Sequence, residues 1–295
     1  MVRIVRVLAP NPSVSTLDGT NTWIVGDGPT IVVDPGPAIA AHLDEVRKAA
    51  GDVAHVLVTH DHEDHGEGAG ALAERVGAPV WAWRLDGAQR LKDGQTFGAA
   101  GVELTAVHTP GHSADHVAFF DRGSRALFTG DAVLGRGTSF IDPPDGDLAK
   151  YLASLRRMLE LDAKTIHPGH GPIVLDANAK LHEYLAHRAE REEEVLVALR
   201  AGPRDVDGLV AEIYPEQPDE VRRLAARTVT AQLRKLAAEG RIDTRGRGAT
   251  QTWAIAEPRT CARCGRNIKG KARYCGPCSL ALLQGADDSP QGASG

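Results

Sequence analysis

Apolar and polar positions along the first 185 residues switch between a strand-like and a helix-like period, and the exchange repeats. VRIVRVL at 2–8 is a short β-type run. Residues 20–25 and 30–34 flank the turn GDGP at 26–29 and predict a hairpin. Apolar residues at 39, 43 and 46 place an amphipathic helix over 39–50. VAHVLV at 53–58 is a nearly continuous apolar run, the pattern of a buried strand, and it ends at Thr59-His60. A helix opened by glycines follows over 66–76. Residues 102–107, 117–120 and 126–128 read as further strands. Apolar residues at 148, 152, 155 and 159 mark a helix over 148–161, and 165–167 closes the region.

Beyond it, 177–201 reads as a long charged helix carrying RAEREEE at 188–194. A short helix (206–214), a turn with Pro215 and Pro218, a longer helix (219–239) and two β-type runs within RIDTRGRGATQTWAI follow. Helix, helix, hairpin is the order of a winged helix; a plain helical dimerisation appendage, and with it a homodimer, is the competing reading. The end, 284–295, is mainly Gly, Ser, Asp and Ala and predicts a disordered tail. The expected divisions are an α/β (α+β) body at 1–186, a winged-helix-like domain at 187–256, a four-cysteine segment at 257–280 and the tail at 281–295.

With 42% hydrophobic and 25% charged residues over 295 positions, the composition is that of an ordinary globular protein. Charge changes the picture more. The net −5 divides into 16 Lys and Arg against 24 Asp and Glu through Ala186, 12 against 12 over 187–256, and 6 against 1 over 257–280. A basic tip on an acidic body fits a nucleic-acid contact or a solvated face. The opening MVRIVRVLAPNPSV lacks the apolar core of a signal peptide, about 7–15 residues long. No run of about 18 apolar residues is present to span a membrane. The expectation is a cytoplasmic protein with no membrane partner, whose thiols are reduced.

The chemistry concentrates in THDHEDHGEG at 59–68, where six consecutive side chains are acidic or imidazole. Imidazole and carboxylate suit zinc, and His60, His62, Asp64 and His65 are too close in sequence to serve one tetrahedral ion. Two metals sharing the segment is the simpler solution. Further candidates are His112 in HTPGHSADH, Asp131 in LFTGDAVLG and His170 in HPGHGP, each after a β-type run and beside a glycine. Cys261, Cys264, Cys275 and Cys278 form C-x2-C, ten residues, C-x2-C, a spacing that suits one structural zinc. Arg266, Lys269, Lys271 and Arg273 lie between the pairs, so the knuckle and the winged helix together are candidates for gripping RNA.

THDHEDHGEG, HTPGHS, LFTGD and HPGHGP, in that order, resemble the metallo-β-lactamase superfamily of dinuclear hydrolases. TNTWIVG at 20–26 and VVDPG at 32–36 resemble its opening hairpin. The resemblance implies an αββα sandwich with two metals at one edge between its sheets. It implies that His60, His62 and His112 hold the first zinc, that Asp64, His65 and His170 hold the second, and that Asp131 bridges them. Iron or manganese fit the same donors. It further implies hydrolysis by a metal-bridging hydroxide, with Asp64 and Asp131 as the catalytic carboxylates. Asp34 is a candidate to orient a ligand imidazole, or a turn cap; His108 and His167 are candidates for supporting contacts; Asp61 and Glu63 are read as solvent or supporting groups.

The substrate is argued from the rest of the chain. The core plus winged helix, with TVTAQLRKLAAEGRI at 228–242, is similar to the lactamase-beta-like group, which has a glyoxalase-II-like core and an animal member that cuts single-stranded RNA. That likeness puts endoribonuclease-like cleavage of single-stranded RNA first. The alternative is a small-molecule acyl hydrolase of the hydroxyacylglutathione or other thioester, lactone or β-lactam type, with a structural C-terminal module.

Overall fold

The computed structural model describes residues 2–246, 248–257, 259–268 and 275–283. The chain divides into two compact units, one up to Glu190 and one from Arg191 onward.

The first unit is built on two sheets. Strands β1 (Ile4–Leu8), β2 (Asn21–Val25), β3 (Thr30–Val33), β4 (Val53–Leu57), β5 (Val80–Ala82) and β6 (Gln89–Arg90) lie side by side in chain order. The pairs through β3 are antiparallel and the later ones parallel. The second sheet has the order β11 (Thr165–Pro168), β10 (Ala126–Gly130), β9 (Val117–Asp121), β8 (Val102–His108), β7 (Thr96–Ala99). The switch to parallel pairing requires crossovers; helix α1 (Ala40–Ala50) lies between β3 and β4, and α2 (Glu63–Gly66) and α3 (Ala69–Val76) lie between β4 and β5.

Side-chain alternation explains the layering. Trp23, Val25, Ile31 and Val33 point between the sheets, onto Phe97, Leu104, Phe119 and Phe128. Their neighbours Ile24 and Val32 face the other way, onto Leu43 and Val46 of α1 and Leu72 of α3. Every residue of β2, β3, β9 and β10 is therefore buried. On the second sheet, α4 (Leu148–Glu160) opens with Asp147 capping the Lys150 N–H at 3.0 Å. Its Ser154 donates to the Pro110 carbonyl at 2.8 Å and its Tyr151 to that of Ala132 at 2.6 Å, which fixes the loops after β8 and β10.

The second unit has its own core. Val195, Leu196 and Leu199 of α5 (Ala177–Arg200) pack with Leu209 and Val210 of α6 (Val206–Ile213), Val229, Leu233 and Leu236 of α7 (Asp219–Ala238), and Ile242 and Trp253 of the hairpin β12 (Ile242–Arg245) and β13 (Thr252–Ile255). Glu192 pairs with Lys235 at 2.6 Å and with Arg241. A hairpin of β14 (Arg259–Thr260) and β15 (Asn267–Ile268) and helix α8 (Gly276–Leu283) complete the described residues. The last helix runs past residue 280, where the sequence suggested the tail begins. Residues 284–295 lie outside the described residues, as do Lys269, Lys271 and Arg273. Among the described residues, no helix is long and apolar enough to cross a membrane.

Candidate active site

The seven sequence candidates in the first unit meet where both sheets end. His60 follows β4, His112 the loop after β8, Asp131 the end of β10, and His170 the end of β11. Asp64 and His65 sit in the single turn of α2, just before the helix the sequence places at 66–76. That turn brings both side chains to His170. Backbone bonds stitch the two sheets together here: Val117 N–H to Thr59 O at 2.7 Å and Asn21 N–H to Gly169 O at 2.7 Å. The Asn21 amide donates to the carbonyls of Pro168 and Gly171, and the Trp23 indole also donates to Pro168.

The donor atoms fall into two groups. His60, His62 and His112 form one, with His60 Nε2 2.9 Å and His112 Nε2 3.3 Å from His62 Nδ1. Asp64, His65 and His170 form the other, with His170 Nε2 3.2 Å from His65 Nε2 and 3.1 Å from Asp64 Oδ2. Asp131 reaches toward both: Oδ1 lies 3.3 Å from His65 Nε2 and 3.2 Å from His170 Nε2, and Oδ2 lies 3.8 Å from His112 Nε2. Gly169 allows this approach, since a Cβ there would lie 2.6 Å from His65 Cε1 and 2.7 Å from Asp131 Oδ1. Gly130, at φ 45°, lets β10 turn into Asp131, and a Cβ there would lie 2.5 Å from Thr59 Oγ1.

Outer contacts aim the rings. His65 Nδ1 faces Asp34 Oδ2 at 2.9 Å, His112 Nδ1 faces the Phe140 carbonyl at 2.9 Å, and His170 Nδ1 faces the Gly19 carbonyl at 3.1 Å. His60 Nδ1 lies 2.9 Å from the Thr59 hydroxyl, whose own proton goes to Asp34 at 2.9 Å. Each Nδ1–H is thus directed outward, which leaves the four Nε2 lone pairs converging inward. Lone pairs about 3 Å apart repel unless a cation lies among them. The donor chemistry and its spacing therefore fit a bound divalent metal in each group.

Electrostatics state the same demand. Burial disfavours charge on His65 and His170, yet the carboxylates of Asp64 and Asp131, joined at His65 by Asp34, hold His65 well above its ordinary value and His170 at about 9. Burial alone would raise Asp131, but His170 and His65 keep it well below the usual carboxylate range; Asp64 is lowered in the same way. His60 and His112 are lowered by burial, most strongly His60. This half-buried carboxylate pair is stabilised by positive charge beside it, and metal binding would displace protons to supply it.

Of the other candidates, Asp34 takes the orienting role. It is a non-glycine residue at φ 53°, and its carboxylate accepts the Thr59 N–H at 2.8 Å as well. Asp61 pairs with Arg84 at 2.9 Å, and Glu63 is exposed. His167 belongs to the core, its ring 4.8 Å from Trp23 and 5.0 Å from Phe128, and His108 stacks on Trp83 at 3.8 Å. The sequence reading passed over two buried groups. His116 lies with its ring 5.1 Å from His60, its Nδ1 facing the Thr109 hydroxyl at 2.9 Å. Asp115 accepts the Asp61 N–H at 2.9 Å and the Ser113 hydroxyl at 2.7 Å, which ties the His60 loop to the His112 loop. The spacing H-S-A-D-H was the only available signal for either.

The family model described as "Metallo-beta-lactamase superfamily" matches residues 15–92 and 82–170. The chain belongs to that superfamily. A second model, "Beta-lactamase associated winged helix domain", matches residues 206–253, so this metallo-beta-lactamase chain carries a C-terminal winged helix. It is 34% identical over 278 residues to "Lactamase-like protein adaB" of Aspergillus niger, covering 86% of each chain. It is 36% identical over 272 residues to an "Atrochrysone carboxyl ACP thioesterase" of Claviceps purpurea, again covering 86% of each. Among solved structures, a beta-lactamase domain protein from Burkholderia ambifaria shares the fold with a TM-score of 0.74 at 24% identity, over 86% of this chain and 91% of that one. As a member of the superfamily, with relatives named as thioesterases, the chain is a metal-dependent hydrolase.

Proposed function

We propose that the chain hydrolyses thioesters, with an acyl group on a thiol carrier as the substrate class. The observation that carries this is the 36% identity, across the superfamily core and the winged helix, to a protein named for thioesterase activity. The sequence alone put single-stranded RNA first and acyl hydrolysis second. That order is reversed here, because relatives whose names state a reaction are named as thioesterases.

In this reading His60, His62 and His112 would hold one divalent metal, Asp64, His65 and His170 the other, and Asp131 would reach both; zinc suits the donor set best. When bound, such a pair supplies a nucleophile from water near neutral pH and polarises the attacked carbonyl. The chain's residues do the rest. His65 and His170 are sealed from solvent, whereas the Asp64 side chain is 27% exposed and His62 is exposed, so water and the acyl group enter on that side. Asp64 is placed there to accept a hydrogen bond from that water and orient it, while Asp34 and Thr59 keep the rings aimed. Addition of water to the carbonyl carbon and loss of the C–S bond yield a carboxylic acid and a free thiol.

The test assays one preparation against an acyl thioester, single-stranded RNA and a cephalosporin, with Asp131→Asn and a chelator-treated sample beside it. Thioester turnover that disappears in both controls, and returns on adding zinc to the chelated wild type, is expected. RNA cleavage that depends on Asp131, without thioester turnover, would overturn the proposal.

A further inference from the structure

We infer that Cys261, Cys264, Cys275 and Cys278 form a tetrathiolate zinc site that fastens the β14–β15 hairpin to α8, separate from the hydrolytic centre. Both family matches end before these residues, at 170 and 253.

The two cysteine pairs reach the site by different local structures. Cys261 and Cys264 sit on the tight turn between β14 and β15. There the Cys261 N–H donates to the Arg266 carbonyl at 2.8 Å and the Gly265 N–H to the Cys261 carbonyl at 2.9 Å, with Gly265 at φ 69°. Cys275 precedes α8 and Cys278 lies in its first turn, where the Ser279 N–H donates to the Cys275 carbonyl at 2.9 Å. All four sulfurs nevertheless lie within 4.8 Å of one another, and Cys264 Sγ is 3.6 Å from Cys275 Sγ.

Those distances decide between the two uses of four thiols. A disulfide needs sulfurs about 2.05 Å apart and joins them two by two. All four cysteines are free, and Cys264 Sγ and Cys275 Sγ, 3.6 Å apart, belong to opposite halves of the motif. Tetrahedral zinc with Zn–S of about 2.3 Å sets its sulfurs about 3.8 Å apart. Four convergent thiols match that arrangement. A segment this short cannot bury a core of its own, and a metal substitutes for one.

The charge of the segment changes meaning accordingly. Four thiolates around one Zn²⁺ carry two net negative charges. Part of the surplus of six Lys and Arg over one Glu at 257–280 is then the counter-charge of the metal site rather than a nucleic-acid footprint.

The test compares full-length wild type with Cys275→Ser/Cys278→Ser. Elemental analysis is expected to find one fewer zinc per chain in the variant, with unchanged hydrolase turnover. Titrating the wild type with an organomercurial is expected to release one zinc as the thiols react, and this arm holds even if the variant folds poorly. Cobalt-loaded wild type is expected to show a thiolate-to-metal charge-transfer band that the variant lacks. Equal zinc in both proteins, four thiols freely reactive in native protein without metal release, paired disulfides, or iron in the cysteines would each overturn the assignment. The zinc difference is read without reference to any substrate, so it stands apart from the thioesterase proposal.

Discussion

Asp34 satisfies three donors at once: the Thr59 N–H, the Thr59 hydroxyl and the His65 ring. Through Thr59 it also steadies His60, so one carboxylate serves both donor groups. Asp34→Ala should lower metal affinity at both groups by about 10–100-fold, the usual cost of losing such a support, measured by competition with a chromogenic chelator. Unaltered affinity would remove Asp34 from this role. Asp115 acts on one side only, because its partners Asp61, Ser113 and Arg84 flank the His60–His62–His112 group. Asp115→Ala should therefore loosen one metal and spare the other, seen as selective loss of one equivalent on dialysis. Loss of both together would argue for a general folding defect. The seven donors were legible in the sequence because His and Asp at that spacing have little other use. Asp115 and His116 were not, since a buried carboxylate or imidazole reads the same whether it supports a site or fills a core. What distinguishes Asp115 is a hydrogen bond across 54 residues to Asp61.

Between elements, the start of β2 is tied to the loop after β11. Asn21 is wholly buried, and its amide supplies both the Pro168 and Gly171 carbonyls. Asn21→Ala strands the Gly171 carbonyl, whereas Pro168 keeps its bond from the Trp23 indole, and should cost about 1–3 kcal/mol, read from the urea midpoint of the tryptophan fluorescence change. Because the same loop presents His170, metal release should quicken as well; a variant as stable as wild type would show that the Gly171 carbonyl finds water instead. The long, strongly periodic elements were legible, down to the helix, helix, hairpin order of the winged helix. Strands β5, β6 and β7 were not. They span three, two and four residues, too few for a period to emerge, and pairing partners rather than sequence make them strands. The turn of α2 was hidden for a related reason: within its four residues, Asp64 and His65 read as ligands before they read as a helix.

At the scale of the whole first unit, stability should fall with acid in a way the core histidines set. Burial lowers the pKa of His42 and His55, and lowers that of His167 to about 4. His167 is 6% exposed, wedged against Trp23 and Phe128, and its Nδ1 has no hydrogen-bond partner among the described residues. A proton there would be charge without compensation. In the unfolded chain the same ring titrates near about 6.5. Above that pH neither state binds the proton, so the contribution of His167 to stability is fully present. As the pH falls from about 6.5 toward about 4, the unfolded state gains a proton that the folded state refuses, and stability drops by up to about 1.4 kcal/mol per pH unit for this group. Metal loss at low pH would add its own slope, so the measurement compares chelator-treated wild type with chelator-treated His167→Phe. Phenylalanine keeps an aromatic ring in the wedge and does not titrate. Urea midpoints followed by tryptophan fluorescence from pH 7 to pH 4 should show a shallower decline in the variant, with the difference opening below about 6.5. Parallel declines would mean that the His167 ring takes up its proton in the folded state as readily as in the unfolded one, and that the core around Trp23 and Phe128 admits water.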